Sequence, residues 1–372
     1  MIKVGITGQQ GFVGQHLYNT LGLFPEEYER VEFKRNFFND QHQLKEFVSS
    51  CDVIIHLAAM NRHHDPGVIY ETNLELVNQL IVALDDTGSK AHVLFSSSSQ
   101  EESKNSYGRS KKEGRELFNK WAEKSGGQFT GLIIPNVFGP FGHPYHNSFI
   151  ATFCHQLTHQ EQPVIETDGL VKLIYVGDLV QSILIAIKSK ESKELVVIQA
   201  KEEYRVSAIL SLLEIYKEQY FEFGTIPLLN NAFEMQLFNT FRCYIDVKNH
   251  FPVKFIQHAD SRGAFVEVIR LNVGGQVSFS TTVPGVTRGN HFHTRKIERF
   301  AVIKGEALIQ LRKIGAVDVF DFHLSGNEPS YVDMPVWHTH NIKNIGQEEL
   351  YTIFWINEFF NPLDQDTYFE NV

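Results

Sequence analysis

The chain has 372 residues, 42% of them hydrophobic and 21% charged, which is long enough for two globular domains that each bury their own core. With 44 acidic against 34 basic side chains the net charge is −10, which argues against a nucleic-acid or anionic-membrane partner. Three separated cysteines, Cys51, Cys154 and Cys243, lack metal-ligand spacing and read as reduced thiols. The opening MIKVGITGQQ reads as a strand and a turn, not a secretory signal, and no run reaches the roughly 18 apolar residues of a membrane helix, so a cytoplasmic location is expected.

In chain order, short apolar runs at 2–6, 53–58, 93–96 and 132–135 alternate with segments of helical length. That alternation predicts right-handed crossovers and an α/β Rossmann-type doubly wound parallel sheet. The first run leads into Gly8-Gln9-Gln10-Gly11-Phe12-Val13-Gly14, which opens a predicted helix. Three glycines there permit a tight turn, a close approach to a pyrophosphate and close helix–sheet contact, while the helix N-terminus offers N–H groups to phosphate. The second strand is expected to end near Phe33, followed by Lys34 and Arg35. Cations there suit the 2′-phosphate of NADP(H), where a carboxylate would grip the ribose of NAD; the alternative is two solvated charges, and Glu32 complicates the choice.

Downstream, Tyr107 and Lys111 stand at i and i+4, one face of a helix, where an ammonium would favour the phenolate. The run HVLFSSSSQ ends just before them, placing serines where doubly wound folds bind ligands. Spacing alone leaves a surface contact as the alternative. In combination, Gly8, Gly11 and Gly14, Asp52, His56-Leu57-Ala58-Ala59, Asn73, the Ser98–Tyr107–Lys111 set and Pro135-Asn136-Val137-Phe138-Gly139-Pro140 resemble the extended short-chain dehydrogenase/reductase family over roughly residues 1–240. The resemblance implies hydride transfer between nicotinamide and a sugar carbon, with Ser98, Tyr107 and Lys111 catalytic (Ser97 and Ser99 being possible slips). It implies cofactor contacts from Gly8, Gly11, Phe12, Val13, Gly14, Lys34, Arg35, Leu57, Ala58, Ala59, Asn73 and Pro135. Tyr175 and Asp178 match a further segment, where Asp178 also reads as a helix cap.

From Val253 the pattern changes to short alternating stretches separated by turns, the signature of an all-β sandwich or barrel. Domains 1–243 and 244–372 are expected. In the second, Gly285, His291, His293, Glu298 and Gly305 are followed by Pro335-Val336-Trp337-His338-Thr339-His340 and Asn344. His291 and His293, two apart, share one strand face; Glu298 is expected on the paired strand; His340 offers a fourth ligand. Three imidazoles and a carboxylate suit a divalent first-row metal, zinc first, with iron and manganese permitted. These motifs resemble the cupin superfamily, which usually has glycine at the position of Trp337. Asp260, Arg262 and Arg288 resemble residues that line the sugar and phosphate pockets of the sugar-nucleotide 3,5-epimerase branch; each also reads as a turn or ion pair.

As a whole, including the tracts 147–154 and 364–369, the chain resembles the CapF (WbjC) type of bifunctional capsular-polysaccharide enzymes. That likeness implies a UDP-sugar substrate, a homodimer, cupin epimerisation at C3 of a UDP-2-acetamido-2,6-dideoxy-4-hexulose and NADPH-dependent reduction at C4, with Asn136, Asn147, Asp260, Arg262, Arg288 and His338 near the substrate. One departure concerns an arginine expected before Pro135, where Ile133 and Ile134 stand; Arg109 or Arg115 is a candidate replacement. The base for the C3 proton stays open among His338, Asp260 and Tyr351. Two rivals stay open as well: a 4-reductase with a structural, non-catalytic cupin, and an NADP-binding regulatory protein.

Overall fold

A computed structural model describes every residue except Lys190 and Arg262. The chain forms two compact units: residues 1–149 with 167–206, and 150–166 with 207–372. Residues 207–243, which the sequence pattern groups with the first half, share the second unit. Within it, Tyr220 donates to Asp333 at 2.7 Å and Arg242 to the Met334 carbonyl at 3.0 Å, so these helical residues are tied to the strands that follow.

In the first unit, β1 (Ile2–Thr7), β2 (Tyr28–Val31), β3 (Val53–His56), β4 (His92–Ser98) and β5 (Gln128–Ile134) join an all-parallel six-stranded sheet. The strands between β1 and β5 are linked through α1 (Phe12–Leu21), α2 (Gln41–Ser49), α3 (Pro66–Thr87) and α4 (Ser106–Ser125). The short strand β6 (Asn136–Phe138), β7 (Leu170–Tyr175) and α6 (Val176–Ser189) precede the sixth sheet member, β8 (Lys193–Val197), while α5 (Phe149–Thr158), between β6 and β7 in the chain, lies in the second unit from residue 150 on. The order is β2-β1-β3-β4-β5-β8. It reverses direction between β1 and β3, and the crevice beyond the strand ends at that point is where doubly wound sheets bind ligands. Strands covered on both faces read as near-continuous apolar runs, which is why β3 is buried throughout. Cores lie on both sides: Phe47, Leu80, Phe95 and Phe118 on one, Leu17, Leu94, Leu179 and Ile183 on the other. The second strand ends two residues earlier than expected; Phe33 is nevertheless buried, among Phe37, Phe38 and Phe47.

After β9 (Glu202–Arg205), α7 (Val206–Tyr216), α8 (Ala232–Arg242) and α9 (Val247–His250), the chain becomes all-β. The hairpin β11 (Gln257–Asp260) and β12 (Gly263–Val266) follows the short β10 (Val253–Lys254) and stands as its own two-stranded sheet. Then come β13 (Gln276–Thr282), β14 (Thr287–Phe292), β15 (Glu298–Lys304), β16 (Glu306–Lys313), β17 (Val319–Ser325), β18 (Ser330–Met334), β19 (His338–Asn344), β20 (Leu350–Ile356) and β21 (Tyr368–Phe369). They form two five-stranded antiparallel sheets, β10-β18-β15-β20-β13 and β17-β16-β19-β14-β21. Alternation sets the inner faces: Ala307, Ile309 and Leu311 of β16 meet Ala301, Val332 and Leu350 of the other sheet. This is the cupin barrel expected from the alternating pattern. Among the described residues no helix is long and apolar enough to cross a membrane.

Candidate functional site

The glycine turn sits at the reversal point of the sheet. Gly8 has φ +75°, and a Cβ there would lie 2.8 Å from the Ala58 nitrogen, so glycine is required both by the left-handed backbone and by the approach of the segment after β3. A Cβ on Gly14 would lie 2.3 Å from the Gly8 carbonyl oxygen, so a side chain would push α1 off the turn. Gly11 precedes α1 and no side chain caps it, which leaves the first N–H groups directed at the crevice. Phe12 and Val13, in that first turn, are half-buried, as are Leu57, Ala58 and Ala59 after β3, and Pro135 after β5 is buried. Gln9 accepts from the Phe33 N–H at 3.3 Å and ties the turn to the segment carrying Lys34 and Arg35. Both cations are exposed, with Lys34 3.6 Å from Glu32. Asn73 is buried and binds Met60 through both backbone groups, at 2.7 and 2.8 Å, and Ser110 at 3.0 Å; it holds the segment after β3 in place. The glycine cradle fits the pyrophosphate of a nicotinamide dinucleotide.

β4 delivers Ser96, Ser97 and Ser98 to the same end of the sheet, and each hydroxyl has its own partner. Ser96 donates to the His56 carbonyl at 3.0 Å, Ser97 bonds Glu101, and Ser98, buried, accepts from the Gln100 N–H at 3.1 Å. The first two turns of α4 carry Tyr107 and Lys111 on one face, with Lys111 Nζ 5.7 Å from the centre of the phenol ring. Lys111 Nζ donates to the Ser96 carbonyl at 2.8 Å. A Cβ on Gly108 would lie 2.0 Å from the Gln100 carbonyl oxygen, so only glycine lets α4 press this close to the serine loop. Burial pushes the Tyr107 phenol up to about 12. Burial also brings Lys111 down to about 7, partly offset by Glu101. Burial works against the charged form of each group, and no lowering of the phenol by the ammonium is resolved beside it.

Arg115 does not replace the missing arginine. Its buried guanidinium forks onto Glu101 at 2.9 and 3.1 Å and onto Glu194 at 3.0 Å, so its donors are consumed in holding the serine loop. Arg109 is exposed, with its guanidinium 5.1 Å from the Tyr70 ring centroid. Asn136 is exposed and donates to the Lys172 carbonyl at 3.4 Å, and Asn147 is exposed. Tyr175 packs on Phe138, and Asp178 lies in the first turn of α6, 3.5 Å from Lys201.

In the barrel, His291, His293, Glu298 and His340 converge, with one donor atom from each within 4.8 Å of all the others. Glu298 is not on the strand paired with β14: β15 belongs to the opposite sheet, because the chain crosses over at 293–297, and the carboxylate reaches the imidazoles across the interior. Its Oε2 lies 3.0 Å from His293 Nε2 and 3.2 Å from His340 Nε2. Burial works to raise the Glu298 pKa, but the bonds from His293 and His340 hold it well below the ordinary carboxylate range. Burial lowers His291 to about 4. An anionic carboxylate among imidazoles whose donor atoms face one point fits a divalent metal with bonds of about 2.0–2.2 Å after small adjustments.

Three of the four donors, His291, Glu298 and His340, line a cavity of about 270 Å3 together with Ser280, Arg288 and Asn341. Arg288 is braced by Thr282 at 3.1 Å and by the Thr281 carbonyl at 3.1 Å. His338 does not line this cavity; it is buried with Nδ1 3.0 Å from the Val336 carbonyl. Asp260 and Tyr351 do not line it either: Asp260 is exposed on the β11–β12 hairpin, and Tyr351 bonds Glu349 at 3.0 Å. Arg262 lies outside the described residues. Trp337, standing where cupins usually have glycine, does adopt the left-handed backbone, φ +59°, and its ring stacks on Phe292 at 5.6 Å.

A doubly wound unit with a glycine cradle and a Tyr–Lys pair, followed by a cupin with a convergent histidine–glutamate cluster, defines an NAD(P)-dependent sugar enzyme that couples reductase and epimerase units. Residues 4–198 match the NAD dependent epimerase/dehydratase family and residues 258–368 the polysaccharide biosynthesis C-terminal domain. The chain belongs to the NAD dependent epimerase/dehydratase family and, over its whole length, to the CapF type within it. It is 32% identical over 379 residues to the UDP-2-acetamido-2,6-beta-L-arabino-hexul-4-ose reductase of Pseudomonas aeruginosa, covering 99% of this chain and 98% of that one. The capsular polysaccharide assembling protein CapF from Staphylococcus aureus superposes over 100% of both chains at 32% identity and a TM-score of 0.62. The spore coat polysaccharide biosynthesis protein SpsL of Bacillus subtilis is 26% identical over 125 residues, 30% of this chain and 82% of that protein.

The sequence motifs gave no role to Gly108, Glu101 or Asp366. The signal for Gly108 stood inside the Tyr-x-x-x-Lys spacing itself, and Asp366 lay in the 364–369 tract of the whole-chain resemblance with no function attached, whereas Glu101 is an acid that only the folded chain connects to the site it supports.

Proposed function

We propose that the enzyme converts a UDP-2-acetamido-2,6-dideoxy-4-hexulose in two steps: epimerisation at C3 in the cupin, then NADPH-dependent reduction at C4 to UDP-2-acetamido-2,6-dideoxy-L-talose, on the route to UDP-N-acetyl-L-fucosamine for capsule or O-antigen. The observation that carries this reading is the full-length similarity to a UDP-hexulose reductase in a chain that keeps both constellations. The C4 ketone unites the steps, because it acidifies the adjacent C3–H and later accepts hydride. His291, His293, Glu298 and His340 would hold a divalent cation, zinc in our reading, which supplies Lewis-acid polarisation of the ketone. Arg288 and Asn341 border the same cavity, and we read them as contacts to the sugar or its phosphates.

For the second step, NADPH supplies the hydride. Tyr107, a neutral phenol in its buried site, donates a proton to the C4 oxygen, Ser98 orients that oxygen, and Lys111 fixes the arrangement from the Ser96 carbonyl. We read Lys34 and Arg35, exposed just after the segment that Gln9 ties to the glycine turn, as the contacts to a 2′-phosphate, and so the cofactor as NADPH. We read the active form as a homodimer, supported by the exposed Phe265, Val277 and Phe279 of the second unit; light scattering on the purified protein tests it. The whole reading is tested by supplying the UDP-4-keto sugar in D2O. Deuterium should enter at C3 without NADPH, and NADPH should be consumed only when added with the sugar. Absence of both signals overturns the proposal.

A further inference from the structure

The segment 364–372 lies across the strands that carry the histidines. β21 pairs with β14, setting Phe369 opposite His291 and Tyr368 opposite Phe292, and Tyr368 stacks on Phe292 at 5.4 Å. Glu370 donates from its N–H to the Asn290 carbonyl at 3.0 Å and accepts from Arg312 at 2.9 Å, while its carbonyl accepts from Thr339. At the head of the segment, Asp366 is buried with φ +42°. A left-handed aspartate is uncommon and must be held in place. Its carboxylate does this by accepting from the Thr294 N–H at 3.0 Å, the Thr294 hydroxyl at 2.6 Å and the Arg295 and Lys296 N–H groups, each at 3.0 Å. In that conformation its carbonyl meets His293 Nδ1. A carbonyl can only accept, so Nδ1 keeps its proton and Nε2 is the ring nitrogen turned to Glu298, the one available to a metal.

We propose that Asp366 is a positioning residue for the metal ligands: its side chain clamps the crossover 294–296, and its carbonyl fixes the tautomer and ring orientation of His293. The segment 364–372 is thereby the outer layer of the metal centre. This rests on the reading of His291, His293, Glu298 and His340 as a metal site. Outer partners of ligating histidines commonly contribute about 10–100-fold in metal affinity.

The test measures affinity for Zn2+ by competition with a chromogenic chelator. It also records the absorption spectrum after Co2+ substitution and the melting temperature of the metal-free protein. The variants are Asp366→Ala and Asp366→Gly, the second of which removes the carboxylate while permitting positive φ. Both should weaken Zn2+ binding at least tenfold and change the Co2+ bands, while NADPH affinity stays at the wild-type value. If both bind Zn2+ within twofold of wild type, the positioning role is overturned even if the metal-free protein melts lower. If only Asp366→Ala is weakened, the carboxylate clamp is overturned, because backbone conformation alone suffices. If the wild type takes up no divalent metal, the metal reading fails first, and this proposal with it.

Discussion

The two units build their sites by opposite means. In the first unit the site is mostly backbone: the strand ends open at the reversal of the sheet, and glycines bring main chain close enough to receive a dinucleotide. In the second unit it is mostly side chain: His291 and His340 come from one sheet, Glu298 from the facing sheet, and His293, expected on the same strand as His291, from the crossover just beyond it, and the four meet in the interior. A backbone site is damaged by adding atoms, and a side-chain site by removing them. The same difference gives the two chemistries separate points of failure.

The largest expected effect separates the reactions outright. Tyr107→Phe should lower C4 reduction by about 10²–10⁴-fold. Exchange of the C3 proton with D2O should persist; loss of both would deny the division of labour. Comparable in size is Glu298→Gln, which removes the anionic donor. Zn2+ binding and C3 exchange should fall by at least about 100-fold while NADPH titration is unchanged, since second-layer losses alone reach that range. Adding atoms provides the converse. Gly14→Ala, whose methyl would lie 2.3 Å from the Gly8 oxygen, should weaken NADPH binding at least about tenfold by calorimetry and leave metal content at wild type.

Smaller effects sharpen the contrast. Trp337→Gly relieves a left-handed aromatic but removes a buried ring. Loss of the ring costs about 3–5 kcal/mol and the relief returns about 1–2 kcal/mol, so urea unfolding should show net destabilisation of about 2 kcal/mol. The subtlest effect concerns Lys111, whose pKa burial lowers from 10.5 to about 7. Between those values the unfolded chain holds a proton that the folded protein lacks, so the lysine makes stability rise with pH through that window and contributes no slope below it. Lys111→Met removes this term. The difference in urea midpoint between variant and wild type should therefore shift in favour of the wild type from pH 7 to pH 10; a constant difference would show that the amine is not held near 7.

The sequence made the first unit's site legible because its determinants are local: a glycine turn directly after a strand, and a tyrosine and lysine one helical turn apart. That the barrel's three histidines and Glu298 converge was legible from spacing, but the sheet bearing Glu298 was not, because five residues after His293 fit a hairpin as well as a crossover between sheets. Arg115 read as a spare cation since nothing in the sequence marks its pairing with Glu101 and Glu194, 14 and 79 residues away. His338 read as a pocket residue from its place beside His340, yet its ring turns to the Val336 carbonyl. Long-range pairing of single charged residues is what local pattern leaves out.

The tight fit at Gly108 bears on how such enzymes can be recognised. Since even a methyl would collide with the Gln100 oxygen and push α4 off the serine loop, the residue after the tyrosine sets how closely the two pack. A search for Tyr-Gly-x-x-Lys downstream of a serine-ended strand would therefore discard many chance matches that the bare tyrosine–lysine spacing admits.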